Sequence, residues 1–432
     1  MKVFIALKKV LIITYYWPPS GGSGVQRWLY FVKYLRLYGW EPIVYTVENG
    51  EYPYADEGLS KHIPEGVEVI RRPIVEPYDF YRKLSGQKQK VNPTIFADSK
   101  DAGFFRKLFF WIRGNVFIPD PRIFWVRPSV NFLIEYLKEH PVGVIVSTGP
   151  PQSLHLIARN LKRKLHIPWL ADFRDPWTKI YFFNQMHMSA IAKKIHLNME
   201  RSVLKEANVV VTVSEHCKSG FQETLNRDIE VITNGYEEFE IVKAERKDDK
   251  IRMLCAGVLS QDRNPIRFWK ILDDYLSTRP DLKSKFELWM IGNVDPTIIN
   301  TIENSGLKST LNVLPSIPHS ELQKHLSSAD ILLLIGVPAH PEVITGKFFE
   351  YLYLKKPIYS ISPVDSDLVE ILNETQSGYN ADFDDEGTLS KNLQLVFDTH
   401  KNGQFKYESV ERYSRRNLTK GMAEFLNVLA KY

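Results

Sequence analysis

Short, strongly apolar runs recur through the first half of the chain and are separated by amphipathic stretches. Several runs are apolar almost throughout, which is typical of parallel strands buried on both faces. Stretches of roughly ten to twenty residues with helical periodicity separate many of them. The alternation predicts a doubly wound α/β sheet. The predicted strands are VLIITYY, EPIVYTV, VEVIRR, VGVIVSTG, PWLADF, ANVVVTVS and IEVITNG.

The same pattern restarts after a charged stretch. Residues 240–250 lack apolar periodicity, so we predict a linker between a first domain at 1–240 and a second at 250–406. The last segment, 407–432, has helical spacing, and the sequence leaves open whether it packs back on the first domain. The strands of the second domain are predicted at IRMLCAGVL, FELWMIG, LNVLPSI, ADILLLIG and KPIYSIS.

Length and composition agree with two domains. A chain of 432 residues with 44% hydrophobic and 25% charged residues is typical of a globular protein with two sizeable cores. The net charge of +5 is too small to indicate nucleic acid as a partner. It is compatible with an anionic substrate or a membrane surface.

The two cysteines and the first apolar run indicate the cellular compartment in which the protein occurs. Cys217 and Cys255 lack metal-ligand spacing, so we predict free buried thiols and a reducing environment. Lys8 and Lys9 interrupt the N-terminal run, and no run reaches the about 20 residues that a membrane helix needs. These features favour a cytoplasmic protein.

A glycine-rich loop, PPSGGSGVQR at 18–27, follows the first predicted strand. Gly22 and Gly24 would let backbone N–H groups approach an anion at the start of a helix. A tight strand-to-helix turn is the alternative. Arg27 stands where a dinucleotide fingerprint needs Gly or Ala, which argues against a nicotinamide oxidoreductase.

The motif ADFRDPW at 171–177 follows another predicted strand. Ligands of open α/β sheets bind beyond the carboxyl ends of the strands, so Asp172 and Arg174 could orient a polyol by hydrogen bonds. The alternatives are an Arg–Asp pair within the motif that fixes the loop, or turn chemistry at Asp175.

The most specific motif is PEVITGKFFEYL at 341–352, in which seven residues separate Glu342 from Glu350. A helix that starts near Thr345 places Gly346 and Lys347 in its first turn and Glu350 on the face of Lys347. Such a helix start suits a diphosphate, and a carboxylate suits two ribose hydroxyls. A capped amphipathic helix with solvated charges is the alternative.

A fourth motif, GVLSQDRNP at 257–265, follows the first strand of the second domain. Gly257 provides a turn, and Arg263 places a cation near a predicted helix start, which again suits phosphate. The alternative is a loop with a solvated arginine.

In this order, the four motifs resemble those of glycosyltransferase family 4, retaining enzymes of the GT-B fold. The resemblance runs over nearly the whole chain and implies two Rossmann-like domains that face each other across a cleft. It implies that the first domain lies on the acceptor side and that the second binds a nucleotide-sugar donor. The implied roles are phosphate and acceptor contact by the loop with Gly22, Gly24 and Arg27, catalysis by Glu342, Lys347, Arg263, Asp172 and Arg174, and donor binding by Glu350, Gly346, Gly257 and Asn234.

The chain also departs from the family pattern. Tyr236 replaces an acidic residue after Asn234-Gly235, and residues 343–345 replace the usual Pro-Phe-Gly after the first glutamate. The family usually has an Arg and a Lys in the diphosphate loop, and in this chain only Arg263 is well placed. The catalytic histidine often found in the first domain has no clear match, although Asp172, Arg174 or His155 could lie in its neighbourhood.

The predicted function is therefore retaining transfer of a sugar from a nucleotide-diphosphate sugar, in the synthesis of cell-surface polysaccharide or glycoconjugate. The resemblance implies no metal and no cofactor, because Lys and Arg would stabilise the leaving diphosphate. Donor sugar, base, acceptor and oligomeric state stay open. The alternatives are a sugar-nucleotide epimerase, an inverting GT-B enzyme, or a two-lobed binding protein without catalysis.

A basic, aromatic segment at about 76–130 interrupts the alternation of predicted strands and helices in the first domain. At helical spacing it contains an apolar stripe beside Arg106, Lys107 and Arg113. The segment predicts peripheral contact with the inner membrane surface, a groove for a lipid-linked acceptor, or simple packing on the first domain. The stripe consists of Phe105, Leu108, Phe109, Ile112 and Val116.

Overall fold

The structure, a computed structural model, describes residues 7–52, 55–76, 111–180, 183–239, 241, 248–403 and 405–431. The chain divides into two compact units. Unit 1 comprises Met1–Thr233 together with Arg415–Tyr432, and unit 2 comprises Asn234–Ser414. The chain passes between the units at 233 and 414, where the sequence suggested 240 and 407.

Unit 1 contains a parallel sheet of seven strands, and each predicted run contains one of them. Leu11 and Ile13 pack into one core, while Val10 and Ile12 pack into the core on the other face. The sheet is therefore covered on both sides, as its apolar runs predicted. In the order β3-β2-β1-β4-β5-β6-β7, it is built from β1 (Lys8–Ile13), β2 (Trp40–Val47), β3 (Glu68–Arg72), β4 (Val144–Gly149), β5 (Trp169–Phe173), β6 (Val209–Thr212) and β7 (Glu230–Val231).

The helices of unit 1 lie on both faces of this sheet. The described α-helices before residue 233 with full bounds are α1 (Ser23–Leu35), α2 (Glu57–Ser60), α3 (Ile123–Glu139), α4 (Ser153–Leu165), α5 (Ala190–Glu206) and α6 (Glu215–Thr224). Trp125 and Leu133 of α3 are buried in the core. The segment predicted as an insertion to about 130 therefore includes the first turns of a core helix between β3 and β4.

Unit 2 contains a parallel sheet of six strands. In the order β10-β9-β8-β11-β12-β13, they are β8 (Ile251–Ala256), β9 (Phe286–Ile291), β10 (Leu311–Leu314), β11 (Ile331–Ile335), β12 (Ile358–Ile361) and β13 (Gly378–Ala381). The helices are α7 (Ile266–Ser277), α8 (Pro280–Lys285), α9 (Pro296–Glu303), α10 (His319–Ser328), α11 (Gly346–Leu354), α12 (Asp367–Glu374) and α13 (Glu386–Asn402).

The last helix, α14 (Arg415–Leu429), lies in unit 1 although it follows unit 2 in the chain. Met422, Ala423 and Leu426 share a core with Trp28 and Leu29 of α1. This packing answers the question that the sequence left open. The helix begins later than expected, because Val410–Tyr413 form a separate 3-10 turn within unit 2.

Both sheets reverse their strand order at one point, between β1 and β4 in unit 1 and between β8 and β11 in unit 2. Ligands of open α/β sheets bind beyond the carboxyl ends of the strands at such a switch point. All four motifs follow the carboxyl end of a strand: β1, β5, β8 or β11. None of the helices in the described ranges is long and apolar enough to cross a membrane.

Candidate active site

A cavity of about 220 Å³ lies at the switch point of unit 2. The ends of β8 and β11 and the start of α11 form its walls, with Gly257, Arg263, Thr345 and Lys347 in the lining. Gly257 has a φ of 128°, a backbone conformation that favours glycine. Cys255 also lines the cavity, and burial raises the pKa of its thiol to about 12. Both cysteines are free and buried, as predicted.

The start of α11 agrees with the sequence prediction. Thr345 is the N-cap residue and Gly346 is the first helical residue. A Cβ atom on Gly346 would have no neighbour within 4 Å, so the helix start is open. The first N–H groups of a helix have no partner within the helix and carry the positive end of its dipole. An anion would therefore be stabilised here.

Lys347 and Glu350 form an ion pair on one face of α11. Lys347 Nζ lies 2.9 Å from Glu350 Oε2, and the two side chains are 25% and 22% exposed. His319 Nε2 lies 3.3 Å from the same oxygen. Partial burial favours a higher pKa for Glu350, but the His319 contact and the Lys347 charge outweigh it and lower the pKa. Glu350 is thus an ionised acceptor with the Lys347 ammonium beside it.

Glu342 lies in the loop between β11 and α11, and it also contacts a histidine. His340 Nδ1 is 3.2 Å from Glu342 Oε1. Sequence reasoning missed both histidines. His340 stands two residues before Glu342, so the local sequence could have indicated it. His319 is 31 residues from Glu350, and only the fold brings it there.

Arg263 lies across the switch point of unit 2. Its Nε donates to the Gly336 carbonyl at 2.9 Å and its Nη1 to the Val258 carbonyl at 2.8 Å. Its Nη2 donates to the carbonyl of Ile335. The guanidinium joins the loop after β8 to the end of β11, and it fixes one wall of the cavity.

Asn234 is the first residue of unit 2 and is half-buried. Tyr236, which follows it closely, is buried and donates its backbone N–H to the Tyr413 carbonyl at 3.1 Å. Asn234 is not among the residues that line the cavity beside Gly257.

Asp172 is paired with Arg27 in the core of unit 1. Arg27 Nη2 lies 2.8 Å from Asp172 Oδ1, and the side chains are 2% and 0% exposed. The carboxylate also accepts from Trp28 Nε1 at 2.7 Å and from Thr148 Oγ1 at 2.8 Å. Burial favours a raised pKa for Asp172, but Arg27 and these hydrogen bonds hold it below the usual value. The arginine partner of Asp172 is thus Arg27, which joins two of the predicted motifs.

Arg174 is held by backbone carbonyls beside the glycine-rich loop. It donates to the carbonyls of Gly24 at 2.6 Å, Gly149 at 3.1 Å and Pro150. A Cβ atom on Gly24 would lie 2.3 Å from Arg174 Nη1, so the glycine makes room for the guanidinium. Gly22, with a φ of 106°, is the N-cap residue of α1. The loop therefore ends at a helix start, as the sequence predicted.

His155 is fully buried in α4, and its ring packs against Phe173. Ser147 Oγ accepts a hydrogen bond from Trp169 Nε1 and forms a second hydrogen bond with His155 Nδ1 at 2.8 Å. Burial lowers the pKa of His155 to about 3. The imidazole is therefore neutral at physiological pH.

Within the described residues, no group of three or more His, Cys, Asp and Glu side chains is placed to hold a metal ion. Whether the transfer needs a metal ion depends on the complex with the substrates. Metal-independent transfer therefore stays a prediction.

Residues 85–238 match the model of Glycosyltransferase Family 4. The chain has no match among curated proteins. It is similar in structure to a glycosyltransferase from Rickettsia africae, with a TM-score of 0.63 and 14% identity over 98% of this chain and 99% of the other. A second similar structure is the trehalose-6-phosphate protein from E. coli bound with UDP-2-fluoro glucose. It has a TM-score of 0.60 and 12% identity over 98% and 99% of the two chains.

A third is the lipopolysaccharide outer core galactosyltransferase WaaB, with a TM-score of 0.57 and 13% identity over 97% and 99%. At such low identity these likenesses establish the fold, whose two parallel-sheet α/β domains of seven and six strands are those of GT-B structures. Residues 85–238 are thus similar to Glycosyltransferase Family 4, and the chain as a whole has the fold of GT-B glycosyltransferase structures.

Proposed function

We propose that the protein transfers a sugar, with retention, from a nucleotide-diphosphate sugar that binds at the switch point of unit 2. The observation that carries this proposal is the start of α11, where an open Gly346 and Lys347 adjoin a cavity of about 220 Å³ and Glu350 follows on the same face. Retention rests on the resemblance of the paired glutamates to family 4. A donor such as the UDP-sugar named for the E. coli structure fits this chemistry.

Each donor group has a proposed partner. The helix start and Lys347 stabilise the negative charge that develops on the leaving diphosphate. Glu350, being ionised, accepts hydrogen bonds from the two ribose hydroxyls. Glu342 contacts the donor sugar. Arg263 keeps the cavity wall in place through its three carbonyl contacts and acts as a positioning residue.

We propose positioning roles for the buried groups of unit 1 as well. Asp172 is fully buried and fully bonded, so it acts by holding Arg27 and the glycine-rich loop. Arg174 joins that loop to the end of β4. The acceptor side then falls to the start of α1 at the half-buried Gly22, where a lipid-linked acceptor for cell-surface polysaccharide or glycoconjugate is our preferred substrate.

The first test is a thermal-shift screen with nucleoside diphosphates and nucleotide sugars, because a ligand of the folded state raises the melting temperature. Glu350→Ala should lose most of the shift, and Lys347→Ala should lose turnover with a smaller loss of binding. Each lost hydrogen bond to a charged group is worth about 1.5–3 kcal/mol. Wild-type kinetics in both variants at limiting and saturating donor would contradict these assignments.

Activity should survive excess EDTA, because the proposed cations at the diphosphate belong to the protein. Activity that chelator abolishes and Mg²⁺ or Mn²⁺ restores would contradict metal independence. Isomerisation of donor without an acceptor would identify an epimerase, and an inverted product would exclude retention.

The membrane contact predicted for residues 102–127 is also part of the proposal, together with a cytoplasmic location. Phe105, Leu108 and Phe109 lie outside the described residues. Trp111 and Val116 are 46% and 59% exposed. The Ser189 N–H, one residue before α5, donates to Asn115 Oδ1 at 2.8 Å, so this segment lies beside the start of α5.

The start of α5 adds further exposed apolar and basic groups. Ile191 is 74% exposed, and Lys193 and Lys194 are exposed on the same helix. Large apolar groups beside cations suit the boundary of an anionic bilayer. We therefore expect weak, salt-sensitive binding to anionic liposomes.

Replacement of Phe109, Trp111 and Arg113 by Ser should reduce this binding. The exposed Ile266→Ser in unit 2 is a control that should leave it unchanged. Co-sedimentation at low and high salt measures the effect. Failure to bind anionic vesicles at low salt would contradict the membrane contact and leave transfer itself untouched.

A further inference from the structure

A further cavity of unit 2, of about 350 Å³, lies between α10 and one face of the sheet. The cavity at the switch point is smaller, at about 220 Å³, and the two have no lining residue in common. A volume of about 350 Å³ accommodates a small organic ligand. The residues that line this cavity are Arg252, Leu254, Trp289, Lys324, His325 and Ser328.

The strand residues of this cavity share one face of the sheet. Leu254 of β8 lies beside Trp289 of β9 in the parallel register, and both pack in the same core. Met253, which precedes Leu254, packs in the core on the other face. On α10, the ring of His325 lies against the indole of Trp289, with the ring centroids 5.3 Å apart. Trp289 is half-buried, so part of this aromatic surface is accessible to a ligand.

The free polar groups of the cavity wall are donors. Lys324 is exposed, and its ammonium has no hydrogen-bond or ion-pair partner among the described residues. Arg252 donates from Nε to Glu287 Oε2 at 2.9 Å and from Nη2 to Asp248 Oδ2 at 2.7 Å, which leaves Nη1 without a partner in the described ranges. Glu287 Oε2 also accepts from Trp289 Nε1 at 3.0 Å, so this carboxylate is already bound. Because none of the six lining residues is acidic, the wall favours an anion.

The wall thereby defines a class of ligand. Ammonium and guanidinium groups form charge-assisted hydrogen bonds with the oxygens of a phosphate. The indole of Trp289 and the imidazole of His325 offer an aromatic surface on which a sugar or base ring can stack. A phosphate that is attached to such a ring matches both features of the cavity.

We propose that this cavity binds a small phosphorylated ligand, with the phosphate at Lys324 and Arg252 and the attached ring against Trp289. The inference goes beyond sugar transfer and does not depend on it, because the cavity at the switch point is lined by other residues. A sugar phosphate and a nucleoside monophosphate have this chemistry in common and differ only in the ring.

Calorimetry of the whole chain at physiological ionic strength tests the site with complete ligands and with their parts. The complete probes are glucose 6-phosphate, UMP and AMP, and the parts are glucose, uridine, adenosine and inorganic phosphate. We expect a complete probe to bind at least about tenfold more tightly than its ring or phosphate alone. The probe that does so shows whether the ring is a sugar or a base. If no complete probe binds more tightly than its parts, the inference is overturned.

Lysine variants locate the phosphate. Lys324→Gln should weaken binding of the best probe about tenfold. Lys270→Gln is the matched control, because Lys270 is also an exposed helical lysine of unit 2 and lines neither cavity. This control and Lys347→Ala, at the switch point, should both keep wild-type affinity.

Three results with these variants would overturn the inference. Wild-type affinity in Lys324→Gln would show that the ammonium makes no contact with the probe. Equal losses in Lys324→Gln and Lys270→Gln would show unspecific attraction between charges. A loss in Lys347→Ala alone would place the probe in the cavity at the switch point.

Tryptophan fluorescence locates the ring. Trp289→Phe keeps an aromatic ring in the wall, so the best probe should still bind. The change in tryptophan emission that the probe causes in the wild type should be lost in this variant. An emission change of wild-type size in Trp289→Phe would contradict the contact between the ligand ring and Trp289.

Discussion

At the switch point of unit 1 the protein's own buried groups bind both arginines, whereas at that of unit 2 Lys347 belongs to a partly exposed ion pair. Arg27 is paired with the fully buried Asp172, and Arg174 donates to three carbonyls. Lys347 is 25% exposed and is paired with a carboxylate that has similar access to solvent. A ligand can separate the second pair at little cost, but it cannot reach the first.

The two units nevertheless share one structural device. Arg174 and Arg263 each donate to backbone carbonyls at the end of the strand beyond the switch point, Gly149 and Pro150 in unit 1 and Ile335 and Gly336 in unit 2. An arginine near a strand end therefore does not by itself indicate a phosphate site. It binds a ligand only if its guanidinium is exposed and has N–H groups that the backbone carbonyls do not already bind.

The largest expected effect is on the buried pair. Asp172→Ala leaves Arg27 buried without its counter-charge and should lower the free energy of unfolding by about 3–5 kcal/mol. Glu350→Ala removes a partly exposed pair and should cost less than about 1 kcal/mol. Urea unfolding of both variants measures the contrast. Equal losses would mean that the two pairs do not differ in the way proposed.

A second effect should appear in the pH dependence of stability. The pKa of His155 is about 3 in the folded chain and about 6.5 when unfolded, so between these values only the unfolded state binds the proton. Stability should therefore fall as the pH falls, by about 2 kcal/mol from pH 6.5 to 5.

His155→Gln should remove this part of the slope. Chemical denaturation of the wild type and of this variant at a series of pH values measures the difference. An unchanged slope in His155→Gln would show that His155 is accessible to protons in the folded state.

The smallest effects come from two glycines in the first turns of α1 and α11. Gly24→Ala places a Cβ atom 2.3 Å from Arg174 Nη1, so the guanidinium must move, at a cost of about 1–2 kcal/mol. Gly346→Ala meets open space and should stabilise the unliganded protein by about 0.5 kcal/mol. Melting temperatures of the two variants should shift in opposite directions, and shifts of the same sign would contradict the comparison.

Local sequence predicted most of the fold. Every predicted run contains a strand. The central strands are buried on both faces and need continuous apolar residues, whereas β3, β7 and β10 have no buried residue. The missed strand, β13, has the sequence GYNA with only Ala381 buried, so no apolar run marks it. The start of α11 at Gly346 was predictable as well, since Lys347 and Glu350 are neighbours by helix geometry alone.

The sequence by itself determined the two sheets, the helix that carries Lys347 and Glu350, and the placement of the motifs after strand ends, because these follow from periodicity within short stretches. Only the tertiary structure decided the partners: Asp172 with Arg27, His319 with Glu350, and α14 with α1. These contacts join residues that lie between about thirty and four hundred positions apart. No local pattern specifies them, because they arise only when parallel strands bring distant loops to one edge of a sheet and apolar helix faces bury each other.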